Sequence, residues 1–381
     1  MKASLSTHDP DQVTLTVNGL DYAGWMDVRI SAGIERQARD FSIGITWKWP
    51  GSGEVPRTVK QGDRCEVRIG ADRILTGYVF ATPIRYDERE ITLSIAGRSL
   101  TADLVDCGVD GPPSQWRHQG VVPIVQALVA PYGIEVVDEA RAGGTLADHT
   151  LESGESVFES IDRLLRLSRL LSTDDERGRV VIACPGSAGR AADTLSPGHT
   201  MLSGDAPLDF TEVCSQYVCK GQRSGTDHVF GTAASEVQAR LSDPTIARRR
   251  VCVLTESGQL TPELARQRVQ WERANRLSRA LQTTYMVRGW RQSNGQLWRH
   301  NQIVQVNDAL IGFARDMLIV AVDYVKNEED GTVTRLTVAP PDGFEAEPVK
   351  PKHVKKARKG DQFEYLLPAD WDTTGTNRGS A

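Results

Sequence analysis

The decapeptide Asp40–Trp49, DFSIGITWKW, puts apolar side chains at Phe41, Ile43, Ile45, Trp47 and Trp49, every second residue. Successive side chains of an extended strand point to opposite faces, so this run fits a strand with one buried face. On a helix the same residues would scatter around the axis. The pattern recurs at Val13, Leu15 and Val17, at Cys65, Val67 and Ile69, and at Ile91, Leu93 and Ile95. Gly70-Ala71-Asp72 separates RCEVRIG from RILTGYVFA as a hairpin turn does. Short strands at this spacing, with no helical period among them, predict a small antiparallel barrel or sandwich.

The pattern changes after Cys107. GVDGPPSQW (108–116) reads as a turn-rich linker, and VVPIVQALVAPYGI (121–134) as a short helix stopped by Pro131 and Gly133. In 156–171 the apolar residues Val157, Phe158, Ile161, Leu164, Leu165 and Leu171 follow a helical period, interrupted at Ser168 and widened by Leu167 and Leu170. Ser156 and Glu159 form a capping box at its start. Residues 169–186 then read as helix end, turn and strand, so 108–205 reads as an α/β module. Strand patterns return in 210–221 and 250–255. Thr261 as N-cap, with Pro262 at the first helical position, opens a helix to Gln282. Strands follow at 283–290, 302–308, 317–327 and 332–340, the last two joined through Glu329-Asp330-Gly331. The segment from 345 is basic, proline-bearing and poor in apolar residues, which predicts a mobile tail.

A chain of 381 residues exceeds one hydrophobic core, so several domains are expected. The net charge of −5 gives no overall field toward nucleic acid or an anionic membrane. No apolar run reaches the ~20 residues of a membrane span, and MKASLSTHDPDQ lacks the apolar core of a secretory signal. Cys65, Cys107, Cys184, Cys214, Cys219 and Cys252 have no paired spacing and read as reduced, mostly buried thiols.

The search for chemistry is negative. No two of the seven histidines stand at zinc-helix spacing. Cys214 and Cys219 have no second pair, and on a strand their odd spacing puts them on opposite faces. There is no GxGxxG, P-loop or Gly-x-Ser-x-Gly elbow. Acidic residues are plentiful, yet no pair stands out as the two carboxylates of a glycoside hydrolase. GRSLTADLVDC (97–107) gathers Ser99, Asp103, Asp106 and Cys107 without a neighbouring histidine. It reads as a junction after the first β module, with Ser99 capping a helical turn whose Leu100, Leu104 and Val105 face inward. The expectation is therefore no catalytic residue, no cofactor and no metal. Arg266, Arg268, Arg273, Arg276 and Arg279 read as a solvated helix face over Leu264, Leu277 and Leu281, the sharper reading being a basic face for an acidic partner or nucleic acid. Trp47, Trp49, Trp290 and Trp298 read as core, with an oligomer interface as the alternative.

Taken in order, GRSLTADLVDC, APYGIEV, ESVFESIDRLLRLSRLL, VCKGQ, GWRQSNGQLWRHNQIVQV and MLIVAVDYVKNEEDGTVTRLTVAPPDGF resemble the baseplate hub proteins of phage Mu-like contractile tails. That family stands within the wider late-control and hub group. The resemblance runs from about residue 12 to 360, and the N-terminal strands match mainly in pattern. It implies a non-enzymatic α+β, mainly β protein with two tail-tube-like β-barrel domains, an α/β domain and a helical insertion. The implied assembly is a homotrimer with a pseudo-sixfold ring. The domains expected are 1–106 and 206–225 with 282–344 for the two barrels, 107–205 for the α/β domain, 226–281 for the insertion and 345–381 for the tail.

The implied partners are further copies of the chain, a spike protein, and a tail tube protein or other baseplate proteins. DNA passes through the channel without specific binding, and the chain does not span a membrane. The implied place is the virion baseplate, assembled in the bacterial host cytoplasm. Trp47, Trp49, Arg266 and Arg273 are the interface or lumen candidates. The alternatives are a tail-associated cell-wall hydrolase, or the hub of a phage-tail-like secretion or tailocin particle; the type VI secretion spike protein resembles the same plan in its N-terminal part.

Overall fold

The computed structural model describes residues 10–48, 59–86, 88, 90–110, 113–222 and 236–348. The basic segment from 349 on and Trp49 lie outside the described residues. The N-terminal β region holds β1 (Val13–Val17), β2 (Leu20–Tyr22), β3 (Asp27–Gly33), β4 (Asp40–Lys48), β5 (Arg64–Ile69), β6 (Asp72–Ala81), β7 (Ile84–Tyr86) and β8 (Glu90–Ser99). In β1 and β5 every second side chain is buried, as the alternation requires.

A middle region follows: α1 (Ala102–Asp106), β9 (Gln115–Gly120), α2 (Val121–Val129), β10 (Val136–Asp138), β11 (Thr145–Thr150), α3 (Val157–Leu167), β12 (Leu171–Asp174) and β13 (Val180–Ala183). The sheet β10-β13-β12 and the ribbon β11-β9 meet a core built on Ile124, Val125 and Leu128 of α2 and Ile161, Leu164 and Leu165 of α3. The capping box at Ser156 and Glu159 is present in both directions, at 3.2 and 2.7 Å. The helix ends at Leu167 rather than at 171. Arg169 turns left-handed (φ 57°), and its N–H and that of Leu170 bond back to Arg166 and Leu165, a Schellman stop. Leu171 is thereby released to open β12.

The C-terminal region holds β14 (Met201–Asp205), β15 (Gln216–Gln222), β16 (Glu236–Ser242), β17 (Val251–Gln259), α4 (Pro262–Ala280), β18 (Thr283–Arg288), β19 (Ile303–Asp308), β20 (Phe313–Asn327) and β21 (Gly331–Ala339). One sequence expectation needs correction here. The strand within 210–221 does not join the strands of 282–344. As β15 it forms the separate sheet β16-β15-β17, pairing parallel to β17, and packs Tyr217 and Cys219 against Ala265 and Val269 of α4. Residues before Gln216 form a turn, so strand alternation does not apply to Cys214, and Cys214 and Cys219 share one core cluster. α4 begins as expected, with the Leu264 N–H donating to the Thr261 hydroxyl at 3.2 Å. The residues it buries are Ala265, Val269, Ser278 and Ala280; Leu264, Leu277 and Leu281 are only half-buried.

All remaining strands of the two β regions form one antiparallel sheet of 13, in the order β14-β18-β21-β20-β3-β4-β8-β6-β5-β1-β2, with β19 on β20 and β7 on β8. The expectation is of two tail-tube-like β-barrel domains. Instead β3 pairs with β20, from Gly33 opposite Ala321 to Val28 opposite Lys326, and no pairing among the described residues closes either half. The order β3-β4-β8-β6-β5 is matched element for element by β14-β18-β21-β20-β19. The match extends to register. β6 carries a bulge between Val79 and Ala81 and β20 one between Ile319 and Ala321. Two residues before the bulged position, Tyr78 faces Arg64 and Leu318 faces Ile303. The chain therefore contains the same β unit twice.

Candidate functional site

GRSLTADLVDC is the place where the three regions lock together. Gly97 and Ser99 end β8, and Leu104 of α1 is fully buried. Thr101, not Ser99, is the N-cap of α1, and its side chain makes no capping bond. The Ser99 hydroxyl is used elsewhere: it accepts the Arg39 N–H at 3.1 Å and meets the Thr101 hydroxyl at 2.9 Å. Leu100 and Val105 are half-buried, and Cys107 is exposed. Among the described residues Ser99 has no histidine partner, so none of them assembles the nucleophile–base pair of hydrolytic catalysis on it.

At the centre of this junction is a buried ion pair. Arg39, from the turn before β4, donates through Nε to Asp174 Oδ1 at 3.1 Å and through its backbone N–H to Oδ2 at 3.0 Å. Its two terminal nitrogens reach the Ile74 and Asp174 carbonyls, at 2.9 and 3.1 Å. Burial holds the Asp174 carboxyl above the usual carboxylate range, against the pull of the Arg39 guanidinium and the Ser99 hydroxyl. Around the pair, the Ser172 hydroxyl donates to the Gln37 side-chain oxygen at 2.5 Å. Thr173 donates to the Gly33 carbonyl at 3.1 Å and meets Nε2 of His300 at 3.2 Å. Burial, then Arg39 and Arg299, keep His300 neutral, well below the usual histidine range. Residues 39, 99, 174 and 300 thus tie both β regions to the hairpin β12–β13. Polar groups in this number, all partnered and far apart in sequence, specify one relative placement of the regions.

A second buried histidine braces the middle region. Nε2 of His149 on β11 lies 2.9 Å from the Ser160 hydroxyl on α3, and its ring stands 5.9 Å from that of Trp116. Burial, reinforced by the Arg163 charge, lowers its pKa to about 4.

The sequence-derived candidates disperse. Trp47 lies in β4 opposite Ile91. Arg266 is exposed and pairs with Glu263 at 3.2 Å. Arg273 is committed to the buried Asp243 at 2.7 Å. Burial pushes that carboxyl up, but the Thr245 hydroxyl and N–H together with Arg273 outweigh it and hold its pKa below the usual range. Arg268 pairs with Glu256, Glu272 and Glu347, and Arg276 with Glu272, so α4 presents a laced face rather than a free basic stripe. Trp290 is core, its indole N–H shared between the Val325 and Val333 carbonyls, and Trp298 is buried too.

A cleft of about 480 Å³ beside the junction is lined by Arg39, Arg68, Arg73, Arg177 and Arg299. Arg68 and Arg73 share Glu66, and Arg299 holds Glu139, so most of that charge is already spent within the chain. Among the described residues no cluster of three or more metal-ligating side chains occurs, and no helix is long and apolar enough to cross a membrane.

Comparison with known proteins covers nearly the whole of this architecture. Family models match in three places: "Mu phage baseplate assembly protein GpP-like, N-terminal" over 12–99, "Baseplate hub protein gp44-like, second domain" over 101–184, and "Mu phage baseplate assembly protein GpP, fourth domain" over 261–347. The baseplate hub protein gp44 of Escherichia phage Mu is 28% identical over 343 residues, spanning 87% of this chain and 88% of that protein. The 43 kDa tail protein of prophage MuSo2 from Shewanella oneidensis has a TM-score of 0.79 at 29% identity, over 88% of this chain and 99% of that one. The tail protein of Neisseria meningitidis MC58 shares the fold, with a TM-score of 0.73 at 21% identity over 88% and 98% of the two chains.

Proposed function

Because this chain belongs to the family of phage Mu-like baseplate hub proteins, we propose that it closes a trimeric ring joining a sixfold tail tube to a trimeric spike. As in its family, it is a structural component of the tail baseplate rather than an enzyme. The observation that carries the finer reading is the repeat: β3-β4-β8-β6-β5 and β14-β18-β21-β20-β19 are one unit in two copies. Three chains then present six similar units, the symmetry a sixfold tube requires, while the threefold axis is kept for the spike. In this reading 1–106 and 282–344 together with β14 supply the ring, 107–200 decorates it, and 226–281 together with β15 is the insertion. The channel on the axis passes DNA without binding it, which suits a net charge of −5 and arginines paired within the chain. Assembly takes place in the host cytoplasm, in a contractile tail or an equivalent secretion or tailocin particle. Trp47, Trp49 and Arg266 remain its interface or lumen candidates.

Mixing the purified protein with the spike protein of the same tail is expected to give a complex of three chains of each that co-elutes on size exclusion. Separate elution at micromolar concentrations of both would remove the joining role.

A further inference from the structure

We infer that neighbouring hub protomers join through a seam that copies the seam inside the chain: Gly204–Pro207 at the open edge of β14 pairs antiparallel with Pro83–Tyr86 of the next protomer, Asp205 facing Arg85. This rests on the reading of the hub as a self-associating ring. Inside the chain the two units meet where β3 pairs with β20. In the C-terminal unit β14 has the place of β3. Ser203 and Gly204 face Met286 and Tyr285, as Asp27 and Val28 face Gly44 and Ile43. In the N-terminal unit β6 continued by β7 has the place of β20. Counted from the shared bulge, Ile84 opposite Leu93 corresponds to Tyr324 opposite Thr334. Carrying the β3–β20 register over puts Gly204 opposite Tyr86, Asp205 opposite Arg85, Ala206 opposite Ile84 and Pro207 opposite Pro83.

Four observations support this register. Among the described residues no strand pairs with β14 on its outer side, and none pairs with β7 on the side away from β8. Both edges carry exposed apolar groups: Tyr86 is 78% exposed, Leu202 49% and Phe80 43%. Asp205 and Arg85 are exposed and opposite in charge, and neither side chain has an ionic partner among the described residues. The prolines also fit. The Ile34 N–H donates to the Val320 carbonyl at 2.9 Å, and strict alternation then makes Ser31 and Asp323 a pair without ladder hydrogen bonds. Pro207 and Pro83 take those places, so the seam needs no N–H from either. The Pro83 carbonyl indeed points the other way, accepting the Ser94 N–H at 3.0 Å. By the same alternation Asp205 and Arg85 form a pair without ladder bonds, where facing side chains stand closest. Because the two edges differ, each contact is head-to-tail, the kind of contact that builds a ring when its rotation closes.

Cysteines at both positions test the seam in the intact protein, since the Cα separation of such a pair, ~4.5 Å, suits a disulfide. R85C/D205C is expected to give reducible multimers up to the closed ring under mild oxidation, while R85C and D205C alone give none above wild type. An oligomer by light scattering that never cross-links would overturn the seam and leave the ring standing; a monomer at every concentration would remove both. Charge reversal is the second arm. D205R or R85E is expected to weaken assembly about tenfold, and D205R/R85E to recover to within about threefold of wild type. Equal losses in the single and double variants would also overturn the facing pair.

Discussion

Replacing Asp174 by alanine is expected to destabilise the protein by about 3–5 kcal/mol, the usual cost of stranding one partner of a buried ion pair. The reason is what stays behind. Arg39 is nearly inaccessible, and Asp174 satisfies its Nε and its backbone N–H together. Without the carboxylate, a guanidinium remains in a low-dielectric junction with only carbonyls for company. The contrast is Ser172→Ala, which removes one hydroxyl from the same network and is expected to cost about 1 kcal/mol. Urea unfolding of both variants reads the difference directly. An Asp174→Ala variant within about 1 kcal/mol of wild type would mean that the network does not hold the regions together.

Acid is expected to act through His149. Its pKa in the folded protein is about 4, against about 6.5 in an unfolded chain. Above pH ~6.5 neither state carries the proton and the neutral ring contributes its full stability. As the pH falls from there toward 4 the unfolded chain takes up a proton that the folded chain refuses, so stability is lost, by about 3 kcal/mol at pH 4. His149→Gln keeps a hydrogen-bonding group toward Ser160 but does not titrate. Subtracting its unfolding free energy from that of wild type, pH by pH, cancels the carboxylates and His300. A difference that stays flat between pH 7 and 4 would show that His149 is not held neutral.

These two sites were the least legible part of the sequence. Arg39, Ser99, Asp174 and His300 lie far apart in the chain, and each is an ordinary polar residue in its local window. Only the pairing of β3 with β20 and the packing of β12 beneath it bring them together. The strands that could be read were those with one buried face and one outward face, such as β5 and β19. β3 escaped because Ile30, Ser31, Ala32 and Gly33 are all buried where it crosses to β20, which erases the alternation. β14 escaped because only Met201 of its five residues is buried.

The repeat shows in strand order and register rather than in matching residues, and the reason is visible in the packing. At one cross-strand position the first unit pairs Phe41 with Gly97, and the second pairs Thr283 with Val338. A Cβ on Gly97 would stand 2.5 Å from the Phe41 ring. The volume is divided large and none in one copy and more evenly in the other, so the space is conserved while the residues are not.

The repeat has its full consequence only if the chain closes a ring, and the solution mass tests that most directly. Light scattering on size exclusion, run across a hundredfold dilution, is expected to give the mass of three chains of 41.9 kDa throughout. A mass of one chain at every concentration would contradict the hub ring.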